Sequence, residues 1–390
     1  MTGYGAITAL GHEEEAWPRI LAGERGIGPI RCLDVSGCRV TIAAEVDEAT
    51  LGTRGTRTQR LACYAVRRAI AAAGLGPVQR ARTALVLGSA GGGDAALEQA
   101  VARTDRSGFS ATAALRLSRY PKRAITDYVA RQIGIGGPRA TVNTACSSGV
   151  VAIIHAAEQL QAGWCDVALA GAADELTRFT LTGFCSLRAV DPRPCRPFDR
   201  DRQGMSLGEG AGCLVLERLD DARRRGARIA AVLRGWGHTC DAGHLTAPDP
   251  TGRGAARAIS QALSMAGIGP NDVGFVNAHG TGTLHNDRAE LAALALACGE
   301  RVRGLPVHSL KAAIGHCMGA AGVIEAIVTI QTLTRLLVPP TAGLECPESP
   351  QAAAFVLREP RAIRALFGLS NNLGFGGNNG ALVLERGEGK

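Results

Sequence analysis

The sequence contains no C-x-x-C pair, although twelve cysteines are scattered from Cys32 to Cys346. Their irregular spacing argues against a zinc ribbon or a dithiol redox motif. At 390 residues the chain is too long for a small disulfide-stapled scaffold, so reduced cysteines inside a cell fit best. Aromatic residues make up only 4%, too few for a base-stacking nucleic-acid surface. No run approaches the roughly 18 apolar residues of a membrane span, and the N-terminus lacks the basic and apolar segments of a secretory signal. The expectation is a cytoplasmic protein without nucleic-acid or membrane partners. Nucleotide loops are missing too. G-S-A-G-G-G-D at 88–94 lacks the G-K-[S/T] ending of a phosphate loop. In G-F-G-G-N-N-G, Asn379 stands where a dinucleotide fingerprint needs its third glycine.

Apolar residues, at 46%, are enough for a sizeable core, and 51 glycines fall largely in clusters. The formal net charge of +8 favours an acidic partner. The chain also repeats itself. A-G-L-G-P at 73–77 returns as A-G-I-G-P at 266–270, and an apolar strand that runs into glycine follows each. G-V-V-A-I-I at 149–154 parallels G-V-I-E-A-I at 322–327, and G-C-L-V-L-E-R at 212–218 parallels G-A-L-V-L-E-R at 380–386. Three echoes in the same order indicate a duplicated unit, 1–225 and 226–390, joined through the charged stretch 219–228. Helical patterns alternate with Val/Leu-rich strands in both halves, which suits sheets buried on both faces by helices. The expected fold class is layered α/β with two similar halves.

Four segments could carry chemistry. In V-N-T-A-C-S-S-G at 142–149, Cys146 stands between a strand-like run and a helical one. A thiolate there would be favoured by the helix dipole, which lowers its pKa, but a buried structural thiol fits the segment equally well. In N-A-H-G-T-G-T at 277–283, His279 meets two glycines that admit a ligand to the backbone, and Thr281 and Thr283 offer hydroxyls to a polar extended arm. In the stretch 309–325, His316 follows a glycine, and Lys311 needs a counter-charge that Glu325 can supply. That pair reads equally as a structural ion pair. In S-N-N-L-G-F-G-G-N-N-G at 370–380, glycines flank Phe375, which either swings or plugs the core. The other histidines, His12, His155, His238, His244, His285 and His308, read as structural or solvent-exposed.

T-A-C-S-S-G, R-P-F-D-R-D-R-Q-G, G-E-G-A-G, N-A-H-G-T-G-T, G-H-C-M-G-A-A-G and G-F-G-G together resemble the elongating β-ketoacyl-[acyl-carrier-protein] synthases of the thiolase superfamily. The resemblance spans nearly the whole chain. It implies a duplicated five-layer α/β/α/β/α fold in which both halves contribute to one pocket. It implies that Cys146 takes an acyl chain from a carrier-protein thioester, and that His279 and His316 bind a malonyl thioester as it loses CO₂. The new carbanion would then attack the acyl-cysteine, with the Cys146 and Phe375 N–H groups facing the oxyanion.

Lys311 and Glu325 match the family's supporting pair, Thr281 and Thr283 its contacts to the phosphopantetheine arm, and Phe375 its gate. Asn277, Glu290, Glu325, Ser370 and Asn371 match a site where some members hold a structural monovalent cation. No intrinsic cofactor is implied, since the acyl groups ride on acyl carrier protein. Arg57 and Arg60 are the docking candidates for that acidic partner. The assembly implied is a homodimer, or a heterodimer with a chain-length-factor subunit.

The sequence also departs from the family pattern. It begins almost at T-G-Y-G, so a short first edge strand is expected. The segment 94–120, which shapes the acyl pocket and dimer interface in the family, is abbreviated, and Asn378 replaces the usual threonine. With the short loop at 190–199, this leans towards polyketide or aryl-polyene synthesis over fatty-acid synthesis. A coenzyme A-dependent thiolase fits the two histidine motifs poorly, and a non-catalytic chain-length partner would lack Cys146.

Overall fold

The computed structural model describes residues 1–98, 101 and 124–388. Most of the 94–120 segment, expected to shape the acyl pocket and dimer interface, lies outside these residues. The first half builds one sheet from β1 (Gly3–Thr8), β2 (Gly11–His12), β3 (Thr83–Gly88), β4 (Arg139–Val142), β5 (Val167–Asp174) and β6 (Gly210–Glu217), in the order β2-β1-β6-β5-β3-β4. The second half builds another from β7 (Ala231–Cys240), β8 (Val273–Ala278), β9 (Pro306–Ser309), β10 (Ala354–Phe355), β11 (Phe367–Gly374) and β12 (Asn378–Arg386), in the order β10-β9-β8-β11-β12-β7. Apart from the short outer strands, the two topologies coincide. β3 runs parallel to β4 and β5, as β8 does to β9 and β11. β6 is antiparallel to β5 and β1, as β12 is to β11 and β7. The first strand is six residues long and is not the edge, because β2 lies outside it.

Among the described residues, six helices of ten or more residues complete the layers. We number them α1 (Arg57–Ala73), α2 (Ala124–Ile133), α3 (Ser148–Gln161), α4 (Arg253–Ala266), α5 (Leu284–Cys298) and α6 (Ala321–Arg335). α1 and α2 cover the outer face of the first sheet, α4 and α5 that of the second, and α3 and α6 fill the space between. The strands read as apolar runs because both faces are buried. In β3, Ala84 and Val86 face the central helices while Leu85 and Leu87 face α1 and α2. In β12, Leu382 and Leu384 face inward while Ala381 and Val383 face α4. This is the duplicated α/β/α/β/α arrangement.

The repeated sequence signals have local physical causes. The glycine of A-G-[L/I]-G-P ends α1 and α4 in left-handed backbone, with φ 65° at Gly74 and 68° at Gly267. Leu75 N–H then reaches back to Ile70 O and Ile268 N–H to Leu263 O, the paired closure of a glycine-capped helix end. The central echoes set the distance between halves. A Cβ on Gly149 of α3 would lie 3.0 Å from Val323 N, and one on Gly322 of α6 would lie 2.5 Å from Val150 Cγ2. The strands join this exchange reciprocally. Gly212 of β6 makes room for Val323 of the second half, and Gly380 of β12 for Val150 of the first.

Filling one of these gaps forces the halves apart. Gly322→Val is expected to cost about 1–3 kcal/mol or more through overpacking. A clearly lower melting temperature by calorimetry is the expected result; an unchanged one would contradict this account of the interface.

Candidate active site

Cys146, His279, His316, Lys311 and Phe375 all sit in segments that follow strand ends. Cys146 lies between β4 and α3, on a turn that puts Ala145 at φ 51°. Few non-glycine residues adopt that conformation, and a sharp strand-to-helix turn lifts the side chain that follows. His279 follows β8, Lys311 and His316 follow β9, and Phe375 turns between β11 and β12. Cys146, His279, His316, Thr281, Thr283 and Phe375 line one cavity of about 360 Å³. A separate groove of about 980 Å³ holds His155, Glu158 and His238 but none of these six.

The two imidazoles stand edge to face, with centroids 5.3 Å apart. Burial, with the Lys311 charge added, holds both well below the ordinary histidine range, so both are neutral at physiological pH. Their partners fix which nitrogen carries the proton. Lys311 Nζ stands 3.1 Å from His279 Nδ1, donates to His279 O at 2.5 Å, and pairs with Glu325. Three ammonium hydrogens thus meet three acceptors. His316 Nδ1 accepts the Met318 N–H at 3.1 Å. With both Nδ1 atoms accepting, both rings carry their proton on Nε2. Glu325 is completed by Asn372, whose amide donates to Oε2 at 3.1 Å.

Cys146 departs from the expectation of a depressed pKa. It is 6% exposed, and burial outweighs every favourable contact, pushing the thiol up to about 11. The Phe375 N–H, the Lys311 charge and the cysteine's own N–H each pull it down. The Phe375 N–H and the cysteine's own N–H therefore both act on the sulfur. The Thr281 and Thr283 hydroxyls lie 2.9 Å apart. The Phe375 ring packs on Phe184 at 5.6 Å between centroids, and Asn378 Nδ2 donates to Phe375 O at 2.9 Å.

Arg57 and Arg60 do not stand free for docking. The Arg57 guanidinium donates to buried Glu209 at 2.9 Å and to Val46 O at 2.6 Å, and also pairs with Glu48. Arg60 shares Glu48 and is 15% exposed. Arg57 is spent inside the fold on buried Glu209, whereas Arg60 pairs at the surface with exposed Glu48. His285, read from sequence as structural or exposed, is exposed and lines the cavity. His308 is buried and neutral, its pKa lowered to about 3 by burial.

Part of the proposed cation set has suitable chemistry. Asn277 Oδ1, Ser370 Oγ and Asn371 Oδ1 are buried without hydrogen-bond partners. Glu290 beside them accepts from His279 N, Gly280 N and Asn371 Nδ2 at 2.7–2.8 Å, and burial lifts its pKa to about 7. Such oxygens suit an alkali cation. The Glu325 carboxylate is shared between Lys311 and Asn372. Among the described residues, no group of three or more His, Cys, Asp or Glu side chains could hold a metal ion.

Residues 1–222 match the family described as "Beta-ketoacyl synthase, N-terminal domain", and residues 230–345 match "Beta-ketoacyl synthase, C-terminal domain". The chain belongs to the beta-ketoacyl synthase family. It is 35% identical to 3-oxoacyl-[acyl-carrier-protein] synthase 2 of Synechocystis, over 99% of this chain and 97% of that one. It is also 35% identical to a putative polyketide beta-ketoacyl synthase 1 of Streptomyces cyaneus, over 98% and 97%. Among solved structures, the ishigamide ketosynthase/chain length factor superposes with a TM-score of 0.92 at 31% identity, covering 99% of this chain and 98% of that one. The chain is therefore a condensing enzyme of fatty-acid or polyketide elongation that acts on substrates carried by the phosphopantetheine of acyl carrier protein.

Two consequences can be measured. Lys311→Met leaves Glu325 buried without its counter-charge, which is expected to cost about 3–5 kcal/mol. It also removes a charge that depresses both imidazole pKa values, so protonation occurs at higher pH and the acid limb of the activity profile moves up. Arg57→Ala is expected to lower stability by about 3–5 kcal/mol by stranding Glu209. Selective loss of carrier-protein affinity with full stability would return Arg57 to the docking surface.

Proposed function

We propose that Cys146 is the nucleophile of a two-stage decarboxylative condensation and that His279 and His316 serve its second stage. The observation that supports this most is the shared cavity: the first half's sulfur and the second half's two rings line one space. In the first stage the Cys146 sulfur attacks the carrier-bound acyl thioester and gives up its proton as the carbon–sulfur bond forms, the carrier sulfur takes up a proton and leaves as the thiol, and the acyl group remains on Cys146. The Cys146 and Phe375 N–H groups receive the negative oxygen of the tetrahedral intermediate. The raised thiol pKa means that the proton leaves as the carbon–sulfur bond forms, rather than from a resting thiolate.

In the second stage malonyl thioester loses CO₂, and its carbonyl oxygen takes up enolate charge. Two Nε2–H donors preset by Lys311 and Met318 meet that charge without reorienting. The enolate carbon attacks the acyl-Cys146 carbonyl, the thiolate is expelled, and a β-ketoacyl thioester results. Thr281 and Thr283 hydrogen-bond the phosphopantetheine arm, and the Phe375 ring separates acyl and malonyl sites. Asn277, Ser370, Asn371 and Glu290 would hold a monovalent cation, whose charge would keep Glu290 ionised.

The fatty-acid and polyketide relatives are equally similar and do not divide the two pathways. The likeness to the ishigamide ketosynthase/chain length factor favours one second reading: the same chemistry in a chain that pairs with a chain-length-factor subunit. In either assembly, Cys146→Ala is expected to abolish the acyl-enzyme mass increment after incubation with acyl carrier protein. His279→Ala is expected to keep that increment and to lose about 10²–10³ in CO₂ release from malonyl carrier protein. An acyl adduct on Cys146→Ala, or normal CO₂ release from His279→Ala, would refute the respective assignment.

A further inference from the structure

Asp174, the last residue of β5, has no exposed surface and belongs to none of the motifs described above. Its Oδ1 accepts from Ser89 Oγ at 2.6 Å and Gly91 N–H at 2.9 Å. Its Oδ2 accepts from Ala90 N–H at 2.9 Å and Gly319 N–H at 2.8 Å. Four donors surround the carboxyl group and favour its ionised form, against burial, which raises its pKa. The donors come from both halves. Ser89, Ala90 and Gly91 form the turn after β3, whereas Gly319 belongs to the loop that carries His316.

That loop is tight. Met318 stands at φ 47°, and a Cβ on Gly319 would lie 2.7 Å from both Ala90 N and Asp174 Oδ2. At its other end, His316 is tied by its N–H to Ser206 O and by its carbonyl to Gly208 N. Between these anchors, the Met318 N–H reaches His316 Nδ1. A strained backbone of this kind persists only where its surroundings hold it.

We propose that Asp174 is a positioning residue for the condensation: by pinning Gly319 it holds the 316–319 turn, so that the Met318 N–H keeps His316 as an Nε2–H donor facing the cavity. Asp174 does not touch substrate. Its influence passes through one backbone amide, and it makes the geometry of the second half's histidine depend on the first half's sheet. The inference rests on the proposed role of His316 as an enolate donor. A second, electrostatic observation accompanies the geometry. Around Cys146, burial and the Asp174 charge raise the thiol pKa, while Lys311 and the two backbone N–H groups lower it.

The test is Asp174→Asn in the full chain, which keeps the shape but removes the charge and turns an amide donor towards one or two of the three N–H groups. Three readouts are taken: CO₂ release from malonyl carrier protein, the ¹⁵N resonances of the histidine rings assigned with His316→Ala, and iodoacetamide alkylation of Cys146 against pH. We expect kcat for decarboxylation to fall roughly tenfold to a hundredfold, less than the roughly 10²–10³ lost with an outright donor deletion, while KM stays within about threefold. The His316 resonances are expected to leave the pure Nε2–H pattern, and the alkylation profile of Cys146 to move to lower pH.

A purely structural Asp174 would reduce the folded fraction but leave the tautomer of the remaining folded enzyme unchanged, and that result overturns the proposal. So does wild-type kcat in Asp174→Asn. If the asparagine variant fails to fold, Gly319→Ala strikes the same contact from the other side and should give the same loss of kcat and tautomer change; a wild-type tautomer in it likewise overturns the proposal. Wild-type enzyme that forms no acyl-Cys146 at all would refute the proposed function instead, so the two failures are distinguishable.

Discussion

The close approach of α3 and α6 governs everything else in this molecule. Cys146 stands just before one of these helices and His316 just before the other. Only because Gly149 and Gly322 let the two backbones pack so tightly do those starts fall beside the same cavity. Strand glycines extend the contact, each receiving a valine from the opposite half. The proposed chemistry, which needs a sulfur and two imidazoles within reach of one thioester, thus joins a cysteine to histidines more than a hundred residues away, by removing side chains rather than adding them.

Within the cavity, burial is the dominant electrostatic force. It neutralises both histidines and raises the cysteine. The protein works with dipoles there. The Lys311 charge acts on both rings, and its hydrogens are taken up by Glu325 and by the carbonyl and ring of His279. In the proposed reaction, what remains for the substrate is a set of preset N–H groups, two from imidazoles and two from the backbone. Such donors stabilise an oxyanion or enolate as it forms and need no rearrangement at that moment.

Much of this was legible in the sequence because it is local. A-G-[L/I]-G-P marks glycine-capped helix ends, strands buried on both faces read as apolar runs, and Cys146, His279 and His316 sit in short glycine-bounded motifs. What the sequence hid is long-range. Nothing near Arg57 announces that Glu209, more than 150 positions away, will neutralise it. Asp174 lies in an unremarked A-A-D-E segment, yet it accepts donors from residues 85 positions before and 145 after. The helix-start argument for a depressed cysteine pKa failed for the same reason. It counted a dipole visible in the local pattern and not the desolvation imposed by packing from both halves.

The reciprocal glycine–valine contacts bear on how such an enzyme can be recombined. Val150 fits the notch left by Gly380, and Val323 the notch left by Gly212, so each half is a mould for the other. A chimera that borrows its rear portion from a relative inherits new notches facing old ridges. Unless both sides of each contact are transplanted together, the sulfur and the rings will not meet at the same spacing, however well either portion folds.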